Sequence, residues 1–254
     1  MILRKMQRHP FAVRAFFRYS LVLTYALPAK ILRPLLPPGL ILDSLGEFGF
    51  LAIALVQAEQ LRPSFLPEAF GRDCFLCGYR IFARFRNSRG RSLRGLRILR
   101  SDTDRQLMRI FGNALTHYQY RHAKVSVSRS GAHLEIKATT PAAEADLHVI
   151  AQLDHEASSL PNDSPFSDWH QARLFAGPLP FTFDYERETH SIVVIEGVRE
   201  NWRPQPVQVQ VLRASFFERP PFRDARPILA SAFHVENIPY EWKRGVIERC
   251  ENDA

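Results

Sequence analysis

From Phe48 to Gln57 the chain reads Phe-Gly-Phe-Leu-Ala-Ile-Ala-Leu-Val-Gln, apolar on both faces of any strand it forms. A strand puts alternate side chains on opposite sides, so such a run must be covered from both directions and belongs in the middle of a sheet. It reaches only about half the length that a membrane-spanning helix needs. The surrounding chain can enclose it, since 46% of the 254 residues are apolar and 24% are charged. Its 19 Phe and 18 Pro against 3 Met favour strands, edges and turns over long helices. The expected class is α+β, dominated by β structure.

Partners for this strand lie on either side. Tyr19 to Leu27 is rich in strand formers, and Pro28 opens a short helical segment that Pro37-Pro38-Gly39 ends. Leu40 to Asp43 reads as a strand, and Gln60 to Arg72 as a loop. Beyond it, Tyr79, Ile81, Ala83 and Phe85 share one face of a strand, with Arg80, Phe82, Arg84 and Arg86 on the other. Asn87-Ser-Arg-Gly90 turns the chain, and Ser92 to Arg100 returns as its partner. Asp102 or Asp104 is placed to cap a helix whose apolar residues Leu107, Ile110, Phe111 and Leu115 keep helical spacing.

A hairpin around Ser130-Gly131 follows, then an alternating strand from Ala145 to Leu153 and a short helix from Asp168 to Phe175 closed by Gly177. Strands at Phe181–Tyr185, Ser191–Gly197, Val207–Leu212 and Ile228–Val235 complete the series. The polar break from Ser158 to Pro165 is too short to mark a domain boundary. Residues 1–254 are therefore expected to form one domain, a continuous, strongly bent sheet carrying a few helices.

Polar chemistry is densest in Gly112 to Val125, which packs His117, Tyr118, Tyr120, Arg121, His122 and Lys124 into one short span between a helix and a hairpin. On a strand, His117, Gln119 and Arg121 share a face and Tyr118 and Tyr120 the opposite one. Either a pocket wall that binds a carboxylate through His and Arg, or a packed tyrosine pair with His and Arg outside, fits this spacing. Cys74-Phe-Leu-Cys77 has redox or half-zinc spacing, but no second pair accompanies it, and a strand turns the two thiols to opposite faces. No glycine-rich phosphate loop and no nucleophile elbow is present, so neither a metal nor a cofactor is expected. The amino terminus reads as neither signal peptide nor membrane anchor, and three cysteines suit a reducing compartment, so a cytoplasmic location is expected.

The segments Tyr25-Ala-Leu-Pro-Ala-Lys-Ile-Leu-Arg-Pro-Leu-Leu-Pro-Pro-Gly-Leu40, Phe50-Leu-Ala-Ile-Ala-Leu55, Gly112-Asn-Ala-Leu-Thr-His-Tyr118, Phe175-Ala-Gly-Pro-Leu-Pro-Phe181 and Trp202-Arg-Pro-Gln-Pro-Val207 together resemble the acetoacetate decarboxylase-like superfamily, most closely its YqjF-like branch, DUF2071. The resemblance implies a curved, barrel-like antiparallel sheet enclosing a pocket. The superfamily's decarboxylases use a Schiff-base lysine whose pKa a second lysine depresses, because an ammonium is no nucleophile. Aligned on the glycine, Tyr120-Arg121 falls on that lysine pair; aligned on the strand start, His117-Tyr118 does. Neither register supplies an amine, and no two lysines are adjacent in the chain. Counting back from Tyr25 places Arg18 on the arginine that holds the substrate carboxylate. Leu51 falls on one pocket glutamate, and Glu68 is a loose counterpart of the other.

The expectation is a protein that binds an organic acid or carbonyl compound, as a binder or as an enzyme without Schiff-base chemistry. Arg18, His117, Tyr118, Tyr120, Arg121 and Trp202 are the candidate ligand residues, and the partner is an anionic small molecule, not a membrane. A net charge of +8 and eight arginines from Arg80 to Arg100 keep a second reading open, a nucleic-acid or polyanion surface on that hairpin.

Overall fold

The structure is a computed structural model that describes residues 6–154, 156–176 and 179–250. Gly177, the expected helix stop, lies outside the described residues. Sixteen strands are present among the described residues: β1 (Val13–Pro28), β2 (Leu40–Leu42), β3 (Ser44–Leu45), β4 (Phe48–Pro63), β5 (Arg72–Arg86), β6 (Ser92–Thr103), β7 (Tyr120–His122) and β8 (Lys124–Ser130) in the first half. The second half holds β9 (His133–Thr139), β10 (Leu147–Gln152), β11 (Phe181–Glu186), β12 (Ser191–Arg199), β13 (Gln205–Pro206), β14 (Gln208–Ala214), β15 (Ile228–Trp242) and β16 (Val246–Arg249). Among the described residues three α-helices are bounded, α1 (Ala29–Leu32), α2 (Gln106–Leu115) and α3 (Trp169–Ala176).

Strands β15, β1, β4, β5, β6, β11 and β12 are hydrogen-bonded in that order, and β12 returns to β15, which closes a ring. Within the ring all pairings are antiparallel except β6 with β11, which is parallel. Strand β4 lies between β1 and β5, as its doubly apolar sequence requires. It runs on to Pro63 and β5 begins at Arg72, so the two ends of the expected Gln60–Arg72 loop are strand and Ser64 to Gly71 between them is the connection.

Two sheets form where the sequence predicts one. Strands β14, β10, β9 and β8 make a separate sheet that packs on the outside of the barrel. Leu21, Leu23, Leu51, Ile53, Leu55, Tyr79 and Ile81 point outward from the barrel and share one core with Leu134, Ile136, Leu147 and Val149 of that sheet. The barrel wall is apolar outside as well as inside, so its outer face needs a cover, and this sheet provides one.

The strands change face at two neighbouring levels, β4 at Gln60 between the partners of Arg14 and Phe16, and β1 and β15 between Phe17 and Tyr19. Gln60 and Asn237 take left-handed backbone angles (φ 53° and 56°), and the β1–β4 register slips between Phe17 and Tyr19. Ala15 and Phe17 face the lumen below the second level, and Ser20, Val22 and Thr24 above it. Arg18, at the slip itself, is left outside the alternation.

Helix α2 forms where its periodicity predicts, but neither aspartate caps it. Arg105 is the N-cap residue and makes no side-chain cap. The Asp104 carboxylate instead accepts from the Phe75 N–H at 2.8 Å, and Asp102 is buried against Arg100. The apolar stripe is incompletely covered, since Leu107, Ile110 and Phe111 are exposed. Gly112 is required because the Tyr120 ring occupies the space that a Cβ would take. Helix α3 closes the far end of the barrel with Phe166, Trp169 and Phe175 against Phe50, Phe82 and Phe233. No described helix is long and apolar enough to cross a membrane.

Candidate anion site in the barrel lumen

The lumen is walled midway by small residues. Antiparallel partners lie on the same face, so the register Ser231–Thr24–Ala52–Arg80 places these four side chains in one row across β15, β1, β4 and β5. The neighbouring row is Phe233–Val22–Ala54–Gly78–Ser101. These small side chains contrast with the leucines and isoleucines on the outer face of the same strands, and over Gly78 the room is taken by the Arg80 side chain.

Polar atoms in this space lack partners. The Thr24 Oγ1, Ser231 Oγ, Arg80 Nε and Trp169 Nε1 atoms are buried without a hydrogen bond. Trp169 reaches the same level, its ring edge-on to Phe233 at 5.5 Å between centroids. Buried polar groups in a folded chain are ordinarily satisfied, so four orphans on adjoining positions mark a place for something polar.

Charge points the same way. The Arg80 guanidinium lies over Gly78, with Nε 2.7 Å from the position of an added Cβ. Arg199, at the end of β12, is held over the rings of Trp202 at 4.5 Å and Tyr240 at 5.9 Å. Burial draws the Arg199 pKa below its usual value; Tyr240 opposes this, and the nearby Arg80 cation adds to it. Among the described residues neither arginine has a carboxylate partner, whereas Arg84 and Arg94 share Asp43, Arg97 holds Asp184, and Arg100 holds Asp102 and Glu144. The buried acid of this region, Asp184, is taken by Arg97, so two unpaired cations in a low-dielectric space favour an incoming anion.

The structure distributes the sequence-derived candidates unevenly. Tyr118 and Tyr120 are buried together, 6.1 Å between ring centroids, in the apolar cluster at the α2 end of the lumen. Burial lifts both phenols above their usual range. Trp202 packs on that cluster and carries Arg199. Arg18 lies outside: its guanidinium grips Glu59 at 2.8 and 3.0 Å and its side chain is 52% exposed. Arg121 is on the surface, paired with Glu144. His117 stands apart from the arginine pair, beside the buried Asp184, with its Nε2 unpartnered.

Arg80, Arg199, Thr24 and Ser231 are the residues that sequence reasoning did not single out. The available signal was Ala52, Ala54 and Gly78 at facing positions of two central strands, a patch of small side chains on one face. Cys74 and Cys77 do face opposite ways, into different clusters, and burial pushes both thiols up to about 12. Lys30, Lys124, Lys137 and Lys243 are all exposed. Every described lysine therefore stands outside the lumen; Lys5 lies outside the described residues.

Solved structures share this architecture. Acetoacetate decarboxylase from Legionella pneumophila matches with a TM-score of 0.64 at 11% identity, covering 94% of this chain and 87% of its own. The enduracididine biosynthesis enzyme MppR, complexed with the condensation product of pyruvate and imidazole 4-carboxaldehyde, matches at 0.62 and 14% identity over 94% and 89% of the two chains. An acetoacetate decarboxylase-like enzyme from Sphingomonas wittichii RW1 matches at 0.57 and 14% identity over 95% and 93%. At these identities the likeness establishes the fold. No curated protein matches. The family model described as DUF2071, uncharacterized conserved protein, matches residues 14–236, and the chain belongs to that family.

Proposed function

We propose that this protein, which we read as one domain, binds a small organic acid in the barrel lumen. Arg80 and Arg199 hold the carboxylate, while Thr24, Ser231 and Trp169 hydrogen-bond to its remaining polar atoms. The observation that carries this reading is the pair of lumenal arginines without a carboxylate partner among the described residues. The anchoring role assigned to Arg18 passes to these two, because Arg18 is spent on Glu59. The same fold in an enzyme solved with pyruvate supports an acid of that general kind. With the described lysines at the surface, carbonyl attack by an amine is not included in the proposal. The polyanion reading loses its support: four of the hairpin's eight arginines are ion-paired and Arg80 is turned inward.

Thermal-shift and calorimetric titration with pyruvate, acetoacetate and their neutral methyl esters tests the assignment. A ligand that binds only the folded state raises Tm, so the acids should do so and the esters should not. Arg80→Met or Arg199→Met should weaken binding by about 10- to 100-fold, the loss of one charge-assisted contact pair. No shift with any acid, or shifts in both variants as large as in the unsubstituted protein, refutes the proposal.

A further inference from the structure

Against the α2 end of the barrel lies a cavity of about 940 Å³. Its walls are apolar, formed by Val13, Leu61, Leu76, Met108, Leu115 and Trp242. Phe70, Leu107 and Phe111 stand exposed at its mouth, where Arg72 and Arg105 also line it. A three- or four-carbon acid needs none of this space, and hollows of this size with a few polar groups are the usual form of ligand sites.

Neither arginine lines the cavity, but its wall and the arginine pair share one strand and one side-chain cluster. Along the lumenal face of β5, Cys74 and Leu76 are cavity wall, Gly78 lies beneath the Arg80 guanidinium, and Arg80 follows. Leu76 and Gly78 are two residues apart, about 7 Å along a strand. Tyr120 lines the cavity and feels the Arg80 cation, which opposes the burial that raises its pKa. Trp202 and Tyr240, which cradle Arg199, pack in the same cluster as Tyr118, Tyr120, Cys74 and Leu76. Tyr118 is on the cavity wall, its hydroxyl buried beside Thr182.

We infer that the ligand is a carboxylic acid with a long apolar chain, its head between Arg80 and Arg199 and its chain in the cavity beneath α2. This rests on the proposed acid site and names the class of acid. The Tyr118 hydroxyl then stands near the junction of head and chain, where a polar substituent next to the carboxylate would meet it. The exposed Leu107 and Phe111 form the threshold over which an apolar chain enters from water or from a lipid surface.

Calorimetric titration with straight-chain carboxylates from acetate to dodecanoate, and with the matching alcohols, decides the matter below micelle-forming concentrations. Affinity should rise roughly three- to fourfold per methylene until the cavity is full. Met108→Trp, with Leu115→Phe as a milder filling should the first fail to fold, should move the plateau to shorter chains and leave the short acids unchanged. Arg80→Met should weaken every acid by a similar factor and leave the alcohols unaffected. Affinity that is flat with chain length, while short acids still depend on Arg80, overturns the chain arm and spares the acid site. Chain-length dependence equal for acids and alcohols and indifferent to Arg80→Met overturns both. A dimer in sedimentation that Phe111→Ser dissolves, and that excludes the acids, also overturns the inference by assigning the cavity mouth to a second copy.

Discussion

The two faces of β1, β4 and β5 differ as sharply as two proteins. Outward they present Leu21, Leu23, Leu51, Ile53, Leu55 and Tyr79, all essentially sealed beneath the second sheet. Inward, on the alternate residues of the same strands, they present the small or polar Thr24, Ala52, Ala54, Gly78 and Arg80; unpartnered polar atoms occur on both faces, as tyrosine hydroxyls at Tyr19 and Tyr25 outside and as the Thr24 hydroxyl and the charged Arg80 Nε inside. One face holds the fold together and the other tolerates an unfavourable interior. The period of two that builds a strand lets a single segment do both, so stability and binding should respond to different residues a single position apart.

The largest effect should come from the outer face. Ile53→Ala should destabilise by about 3–4 kcal/mol in urea denaturation, since a sealed core position cannot collapse around the lost atoms, and should leave acid binding by the folded protein intact. A smaller effect belongs to His9, in the wall of the apolar cavity, whose pKa burial lowers from 6.5 to about 4. The unfolded chain takes up a proton between these values and the folded one does not. The His9 contribution is therefore present above about pH 6.5 and lost as pH falls toward 4, by about 2 kcal/mol between pH 8 and pH 5. His9→Gln should flatten that region of the profile, and an unchanged pH dependence would show that the ring is hydrated. The smallest effect is also the most telling. Thr24→Val replaces an unpaired buried hydroxyl with a methyl of similar shape, so without ligand it should stabilise by about 1 kcal/mol while weakening acid binding. A loss of stability would mean that the lumen is not a site held open at a cost.

The outer face was legible in the chain and the inner one was not. Alternation at Tyr79, Ile81, Ala83 and Phe85 and the doubly apolar β4 led directly to the strands, and motifs near Tyr25 and Gly112 led to the family. Arg80 escaped notice because it shares a face with Arg84 and Arg86, and along a strand nothing marks where a lumen ends and solvent begins. That boundary depends on Phe175 of α3 covering Phe82, a contact between segments some ninety residues apart in the chain. Arg18 was misleading for a related reason: counting from Tyr25 assumes unbroken alternation, and the slip between Phe17 and Tyr19 breaks it. Arg199 carried no signal at all, since its significance comes from β12 closing onto β15. The Tyr118–Tyr120 pair lay in between. The sequence left a packed pair and a pocket wall both open on an assumed strand, whereas only Tyr120 lies on β7 and Gln119 between the two tyrosines takes φ 54°, so their shared burial comes from the turn after α2 and not from alternation.

Closure of the ring has a consequence for exchange with the outside. Strands β11 and β12 are joined to the rest of the wall by two narrow seams, three residue pairs to β6 and three to β15. The other joints run nearly the full length of long strands. Opening one narrow seam breaks few backbone bonds and leaves the load on the broad joints unchanged, so the hairpin is a panel in an otherwise riveted cylinder. Its amides should trade deuterium well before those of β1 and β4, and a bound guest that touches Arg199 would act as the latch.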